Sequence, residues 1–304
     1  MRAVILLSLG LWGTLIVWRP TEAEDASPRS RRDIPYVTGG YELQKLDAWW
    51  NPGRSDQPVM VYVHGGGWRQ GDKRNVVEKP AAFARRGFAF VSVNYRLHPE
   101  ADFREQAADV ARAIKHVVDS SDRVGVNPQR LYLMGHSAGA HLAALVATDE
   151  KYLKDVGLSL DTIKGVVLLD GAGYDIPNQL ANVGRARAET LYTTVFTKDP
   201  DVQREASPLA HVGAGKGIPP FLILPIADRP DSGVQSDRLA EKLNQEGVSA
   251  RVVRCPGQTH GSINQQFGTT DHLATVEAFQ FLEQRQRELG AATSSPSKGL
   301  PEKP

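Results

Sequence analysis

Short apolar runs alternate along this chain with stretches whose apolar residues recur every three to four positions. VMVYVHG at 59–65, FAFVSVNY at 88–95, RLYLMG at 130–135, IKGVVLLD at 163–170, PFLILPI at 220–226 and ARVVRC at 250–255 have the length and continuity of buried strands. Helical spacing fits 76–86, 103–119, 137–147, 235–246 and 271–289, with Gly87 and Gly247 placed to stop two of these helices. This alternation predicts βαβ units around a mostly parallel sheet in one α/β domain. YELQKLDAWW at 41–50 alternates more weakly and predicts an element at the sheet edge.

The rhythm breaks at 171–215, which is longer than an ordinary connection, and its LANVGRARAETLYTTVF is helix-like, so a small cap over the site is expected. Residues 1–23 have the form of an export signal: Arg2, an apolar stretch from Ala3 to Trp18, and small residues in Thr21-Glu22-Ala23. An uncleaved anchor is the alternative, since the apolar stretch is short for a span and long for a signal core. Residues 24–34 are expected to be a flexible tether, 35–289 the domain, and 290–304 a disordered tail rich in small and polar residues. A secreted or periplasmic protein follows, with no integral span once the signal is removed.

Composition narrows the partners. The 304 residues are 41% apolar, enough for a substantial core, and carry 36 basic against 35 acidic residues. Removing 1–23 takes Arg2, Arg19 and Glu22, leaving 34 of each sign. So even a balance argues against a nucleic-acid or membrane-surface partner and favours a small molecule. Cys255 is the single cysteine, which excludes an internal disulfide and a Cys-rich metal site.

Gly135-His136-Ser137-Ala138-Gly139 follows a predicted strand and opens a predicted helix. That is the setting of a nucleophile elbow: glycines relieve a tight turn and the serine stands at a helix N-terminus. A chance Gly-Ser-Gly turn would lack both flanks. His64-Gly65-Gly66-Gly67-Trp68 ends an earlier strand, and its glycines let backbone approach a reacting carbonyl. The N–H groups of Gly66, Gly67 and Ala138 are the candidate oxyanion donors. His64 is read as a brace for this loop, and Trp68 as either pocket lining or core cover. A triad in the order serine, acid, histidine is completed by Asp228, just after PFLILPI, and His260, in the loop PGQTHGS. Asp231 is the rival acid, better placed to cap a helix beginning near Val234. His98, His116, His141, His211 and His272 are assigned to packing and loops. His136 and His141 miss the spacing of a helical metal pair, so no metal is assigned.

HGGGW at 64–68, GDK at 71–73, NYRLHPE at 94–100 and GHSAGAHLAAL at 135–145 together resemble the hormone-sensitive-lipase and feruloyl/acetyl-esterase branch of the α/β hydrolases. The resemblance covers about 35–285. It implies an α/β-hydrolase fold with a mostly parallel eight-stranded sheet flanked by helices, short acyl esters as substrates, and no cofactor. Carried over, nucleophile, acid and base fall on Ser137, Asp228 and His260, and the oxyanion glycines on Gly66 and Gly67. The acid loop ADRPDSGVQS departs from the usual form, and His98 replaces the usual alanine before the proline.

The expected activity is therefore hydrolysis of small or aryl carboxylic esters through an acyl-enzyme. An arylformamidase-like amidase is the alternative within hydrolases. A ligand-binding module that keeps the fold without catalysis would be expected to lack a triad member. A peptidase would need an added domain to hold an extended chain.

Overall fold

The computed structural model describes residues 28–294; the expected export signal, residues 24–27 of the expected tether and residues 295–304 of the expected tail lie outside them. Eight strands form one sheet in the order β1-β2-β4-β3-β5-β6-β7-β8. They are β1 (Arg29–Pro35), β2 (Lys45–Trp50), β3 (Gln57–Val63), β4 (Ala89–Val93), β5 (Val126–His136), β6 (Ile163–Leu169), β7 (Phe221–Leu224) and β8 (Ala250–Val252). The pairs β1–β2 and β2–β4 are antiparallel, and every later pair is parallel. Parallel strands must be covered on both faces, which explains why all seven residues of β3 are buried.

Five helices supply the cover: α1 (Lys79–Arg85), α2 (Phe103–Asp119), α3 (Ala138–Thr148), α4 (Pro230–Gln245) and α5 (Leu273–Ser294). Strand alternation divides the core between them. Val59, Val61 and Val63 face α2, α3 and α4, while Met60 and Tyr62 face α1 and α5 through Phe83, Phe279 and Leu282. α2 begins where expected because Asp102 accepts from the amides of Arg104 and Glu105, and Glu105 returns the bond in a capping box.

Several boundaries differ from expectation for local reasons. Residues 29–34 were expected in the tether, but they form most of β1, which pairs with β2 from Arg29–Trp50 to Pro35–Lys45. The first helix starts at Lys79 rather than 76 because Val77 has φ 46°, outside the helical region. α4 starts at Pro230, a residue suited to a helix's first position, and this puts Asp231 in the first turn instead of before Val234. α5 continues to Ser294, past the expected end of the domain.

Candidate active site

Ser137 joins β5 to α3 with φ 56° and ψ −121°, a strained conformation for a residue with a side chain. The strain persists because the surroundings leave no alternative. Its amide donates to the Leu169 carbonyl on β6, and its carbonyl accepts from Ala140 in α3. The flanking glycines are required by packing. A Cβ on Gly139 would stand 2.2 Å from the Val63 carbonyl oxygen, and one on Gly135 would stand 2.2 Å from that of Gly139.

The His260 loop follows β8 and is held to the elbow by His136, whose Nε2 lies 2.9 Å from the His260 carbonyl. Burial, with His260 adding to it, pushes the His136 imidazole down to about 3, so it is neutral and Nε2–H donates. His260 Nε2 lies 2.9 Å from Ser137 Oγ, in reach to take its proton.

The acid is not Asp228. His260 Nδ1–H donates to Asp170 Oδ2 at 2.6 Å, and Asp170 stands fully buried directly after β6. Asp228 is exposed and makes no hydrogen bond or ion pair with the described residues. The cause is the course of the chain beyond β7. Ile226 bridges Cys255 beside β8, Ala227 donates to the Cys255 carbonyl, and the next residues turn outward before α4 begins. The residue that turns back in is Arg229. Its Nη1 donates to Asp170 Oδ2 at 2.9 Å and to the Asp170 carbonyl at 3.0 Å, and it lies 3.0 Å from His260 Nδ1. Asp170 Oδ1 accepts from the Ile226 amide at 3.2 Å. Burial alone would raise the Asp170 carboxyl, but the His260 hydrogen bond and the Arg229 charge outweigh it and hold the group well below the usual carboxylate range. Asp231, the rival acid, pairs with Arg229 at 3.2 Å and Arg187 at 3.3 Å and does not reach His260.

The HGGGW loop lies across from the elbow. Gly66 has φ 130° and Gly67 φ 61°, and a Cβ on Gly66 would stand 1.9 Å from the Gln70 carbonyl oxygen. The amides of Gly66 and Gly67 have no partner among the described residues, and Ala138, as the first residue of α3, has none within its helix. His64 braces the loop as expected: its Nδ1 lies 2.7 Å from the Gly65 carbonyl, and its ring stacks on Tyr95. Trp68 serves both of its expected roles. It lines the cavity, yet it is buried against Phe196 and Tyr192, and its Nε1 donates to His141 Nδ1 at 3.1 Å.

Segment 171–215 is built of short helices and turns, as expected of a cap, and contributes Ala172, Arg187, Leu191 and Tyr192 to the cavity wall. The cavity is about 920 Å³ and contains Ser137, His260 and the three loop glycines. Among the described residues no group of three His, Cys, Asp or Glu side chains is placed to hold a metal ion, and no helix is long and apolar enough to cross a membrane.

The chain is similar to several known proteins. A probable isoprenylcysteine alpha-carbonyl methylesterase of Arabidopsis thaliana is 28% identical over 255 residues, 77% of this chain and 58% of its own length. Esterase LipQ of Mycobacterium tuberculosis is 31% identical, covering 69% of this chain and 56% of its own. This chain therefore spans little more than half the length of these two relatives. A kynurenine formamidase of Danio rerio is 27% identical across 84% of this chain and 83% of its own. Among solved structures, esterase B of Lactobacillus rhamnosis superposes with a TM-score of 0.74 at 20% identity, covering 88% of this chain and 91% of its own. A hyperthermophilic esterase of Pyrobaculum calidifontis gives 0.65 at 26% identity, over 86% of each chain. The profile of the BD-FAE family matches residues 46–243, about two thirds of the sequence, and with the sheet order and the elbow this makes the chain a member of the BD-FAE family of α/β hydrolases.

Proposed function

We propose that this protein is a serine carboxylic-ester hydrolase working through an acyl-enzyme. The observation that carries the reading is the line Ser137 Oγ, His260 Nε2, His260 Nδ1, Asp170 Oδ2, with contacts of 2.9 and 2.6 Å at its two ends. Asp170 accepts from Nδ1–H and so keeps the lone pair on Nε2 turned to the serine. Ser137 Oγ attacks the ester carbonyl as its proton passes to His260, and the carbonyl oxygen takes the negative charge. The amides of Gly66, Gly67 and Ala138 hold that oxyanion, each worth about 3 kcal/mol of barrier in comparable sites. His260 then returns the proton to the departing alkoxide, leaving an ester on Ser137. Water enters by the mirror sequence, releasing the carboxylic acid and restoring the serine.

Small or aryl esters are the proposed substrates. Leu191 and Tyr192 offer apolar wall, while Gln70, Asn75, Asn264 and Arg187 offer polar groups around the same space. The esterase names among the relatives support the reaction class, and the formamidase relative supports a trial of N-formyl aryl amines beside the esters. Export is part of the same proposal, supported by the apolar run from Ala3 to Trp18 and the Thr21-Glu22-Ala23 site. N-terminal sequencing of protein from its native host should find a chain beginning near Glu24; a cytosolic chain beginning at Met1 removes export.

The decisive experiment is a rapid-mix assay with a p-nitrophenyl ester followed by fluorophosphonate labelling. A burst of nitrophenol stoichiometric with enzyme, and label on Ser137 alone by mass spectrometry, is expected. Label on another serine, or undiminished turnover in Ser137→Ala, overturns the mechanism.

A further inference from the structure

A second cavity of about 420 Å³ lies between the sheet edge and the C-terminal end of α2, bounded by residues that play no part in the triad. Its floor is apolar. Leu46, Ala48 and Trp50 alternate along β2 and so share one face, and Val59, Ala89, Val91 and Val126 from the neighbouring strands continue it. Val117 and Val124 close it from above. Leu46, Val59, Ala89 and Val91 are all at most 5% exposed, yet Ala48, Trp50 and Val124 are only half-buried because the cavity opens past them.

The rim is cationic. Arg31 pairs with Ala48 in the β1–β2 register, so its side chain lies on the cavity side of the edge strand, and Arg123 approaches from the opposite rim. Neither guanidinium makes an ion pair or hydrogen bond with a described residue. No Asp or Glu lines the cavity, and the nearby Asp119 is engaged by Lys115. His116 lines the same cavity, and burial, with Arg123 and Arg31 adding to it against the pull of Asp119, lowers its imidazole from its ordinary value. By contrast Arg32, one residue along β1, pairs with Asp47 on the other face.

An apolar pocket with two guanidiniums at its mouth, neither paired with a described residue, suits an anion that carries an apolar body. We propose that this cavity binds a monocarboxylate with an apolar tail or ring, its carboxylate held between Arg31 and Arg123 and its tail lying over Ala48, Val91 and Trp50. The volume falls within the roughly 300–1,000 Å³ range of small-molecule sites. Occupancy does not involve Ser137, so it stands or falls apart from the ester-hydrolase reading.

Binding is tested by calorimetry on the full chain carrying Ser137→Ala, with octanoate as the probe, octanol as its neutral counterpart and acetate as the head without a tail. Octanoate should bind once per chain with a dissociation constant of about 1 mM or tighter. Octanol should bind about tenfold more weakly, and acetate not measurably. The double variant Arg31→Gln/Arg123→Gln should erase the preference for octanoate while leaving octanol unchanged. Two surface glutamines are not expected to disturb folding, but 8-bromooctanoate gives a second measurement on the unaltered rim. It should quench tryptophan fluorescence, and because Trp49 and Trp50 both line the cavity, Trp49→Phe/Trp50→Phe should remove most of that quenching. Octanoate binding that ignores both arginines, quenching that survives the Trp49→Phe/Trp50→Phe pair, or no binding at millimolar octanoate overturns the proposal.

Discussion

Replacing Asp170 by asparagine isolates the charge of the acid from its shape. The amide oxygen can still accept from the Ile226 amide in the Oδ1 position, but an NH₂ group in the Oδ2 position faces both Arg229 Nη1 and His260 Nδ1 and forces the imidazole into the tautomer with its proton on Nε2. That proton points at Ser137 Oγ, and the ring can no longer act as the base. In triads of this geometry the substitution lowers kcat about 10⁴-fold, or about 5 kcal/mol of barrier. The same change touches stability. Asp170 is fully buried and Arg229 is 13% exposed, so removing the carboxylate breaks a buried ion pair, a loss of about 3–5 kcal/mol. Asp231 remains as a partner for Arg229 at 3.2 Å, which places the expected loss at the lower end of that range.

The assay is steady-state hydrolysis of p-nitrophenyl acetate well below the melting range of each variant, with thermal unfolding measured in parallel. Asp228→Asn is the control, because Asp228 is exposed and makes no hydrogen bond or ion pair with a described residue; its rate should stay within about twofold of the unaltered protein. A folded Asp170→Asn protein with more than about a tenth of the original kcat refutes the assignment. A collapse of kcat in Asp228→Asn refutes it equally, because it would mean that the loop after β7 swings in to supply the acid.

Three further outcomes test other parts of the site. Gly66→Ala should lower kcat at least about 100-fold with little change in secondary structure by circular dichroism, because its Cβ would meet the Gln70 carbonyl at 1.9 Å and displace an oxyanion donor. His141→Leu should lower the melting temperature, costing about 1–3 kcal/mol by calorimetry, since it strips the partner from Trp68 Nε1 and, at 2.8 Å, from the Ala206 carbonyl of the cap. Lys79 is buried without a carboxylate partner, and burial pushes its amine down to about 7 from 10.5. The unfolded chain therefore binds the extra proton between these values, so unfolding free energy from this group should rise by up to about 1.4 kcal/mol per pH unit from pH 7 towards 10.5. Lys79→Met should flatten that slope in urea titrations.

Most of this architecture is visible in the sequence because the signals are local. A strand buried on both faces has to be continuously apolar, and a nucleophile elbow cannot be built without small residues on either side of Ser137. His260 was also accessible, being the histidine in a loop just after the last strand. The acid was harder, since two strand ends satisfy the same order of serine, acid and histidine. IKGVVLLD at 163–170 ends on Asp170 just as PFLILPI leads to Asp228. Chain order cannot separate them; only the turn that exposes Asp228 and buries Arg229 does, and it depends on how residues 226–230 leave the sheet. Residues 29–34 were missed for a related reason. An edge strand facing solvent needs no apolar pattern, and six of the seven residues of β1 are exposed.

The placement of the acid on β6 carries a consequence for the neighbouring strand. β6 and β7 are parallel neighbours, so Asp170 and Ile226 leave the sheet side by side, and the Ile226 amide reaches the Asp170 carboxylate. An acid delivered from β6 occupies the space beside His260, and a second carboxylate from β7 would sit against it in a buried setting where like charges are costly. The β7 end instead supplies Arg229, whose guanidinium bridges Asp170 and Asp231. Asp228, already a carboxylate, therefore cannot complete the triad in Asp170→Asn. Arg229 would still fill the position, and a working site would require both the loop to turn inward and the guanidinium to leave. A rescue screen that starts from Asp170→Asn should recover activity through reversion at 170, or through changes that include Arg229, and not through changes at Asp228 or Asp231 by themselves.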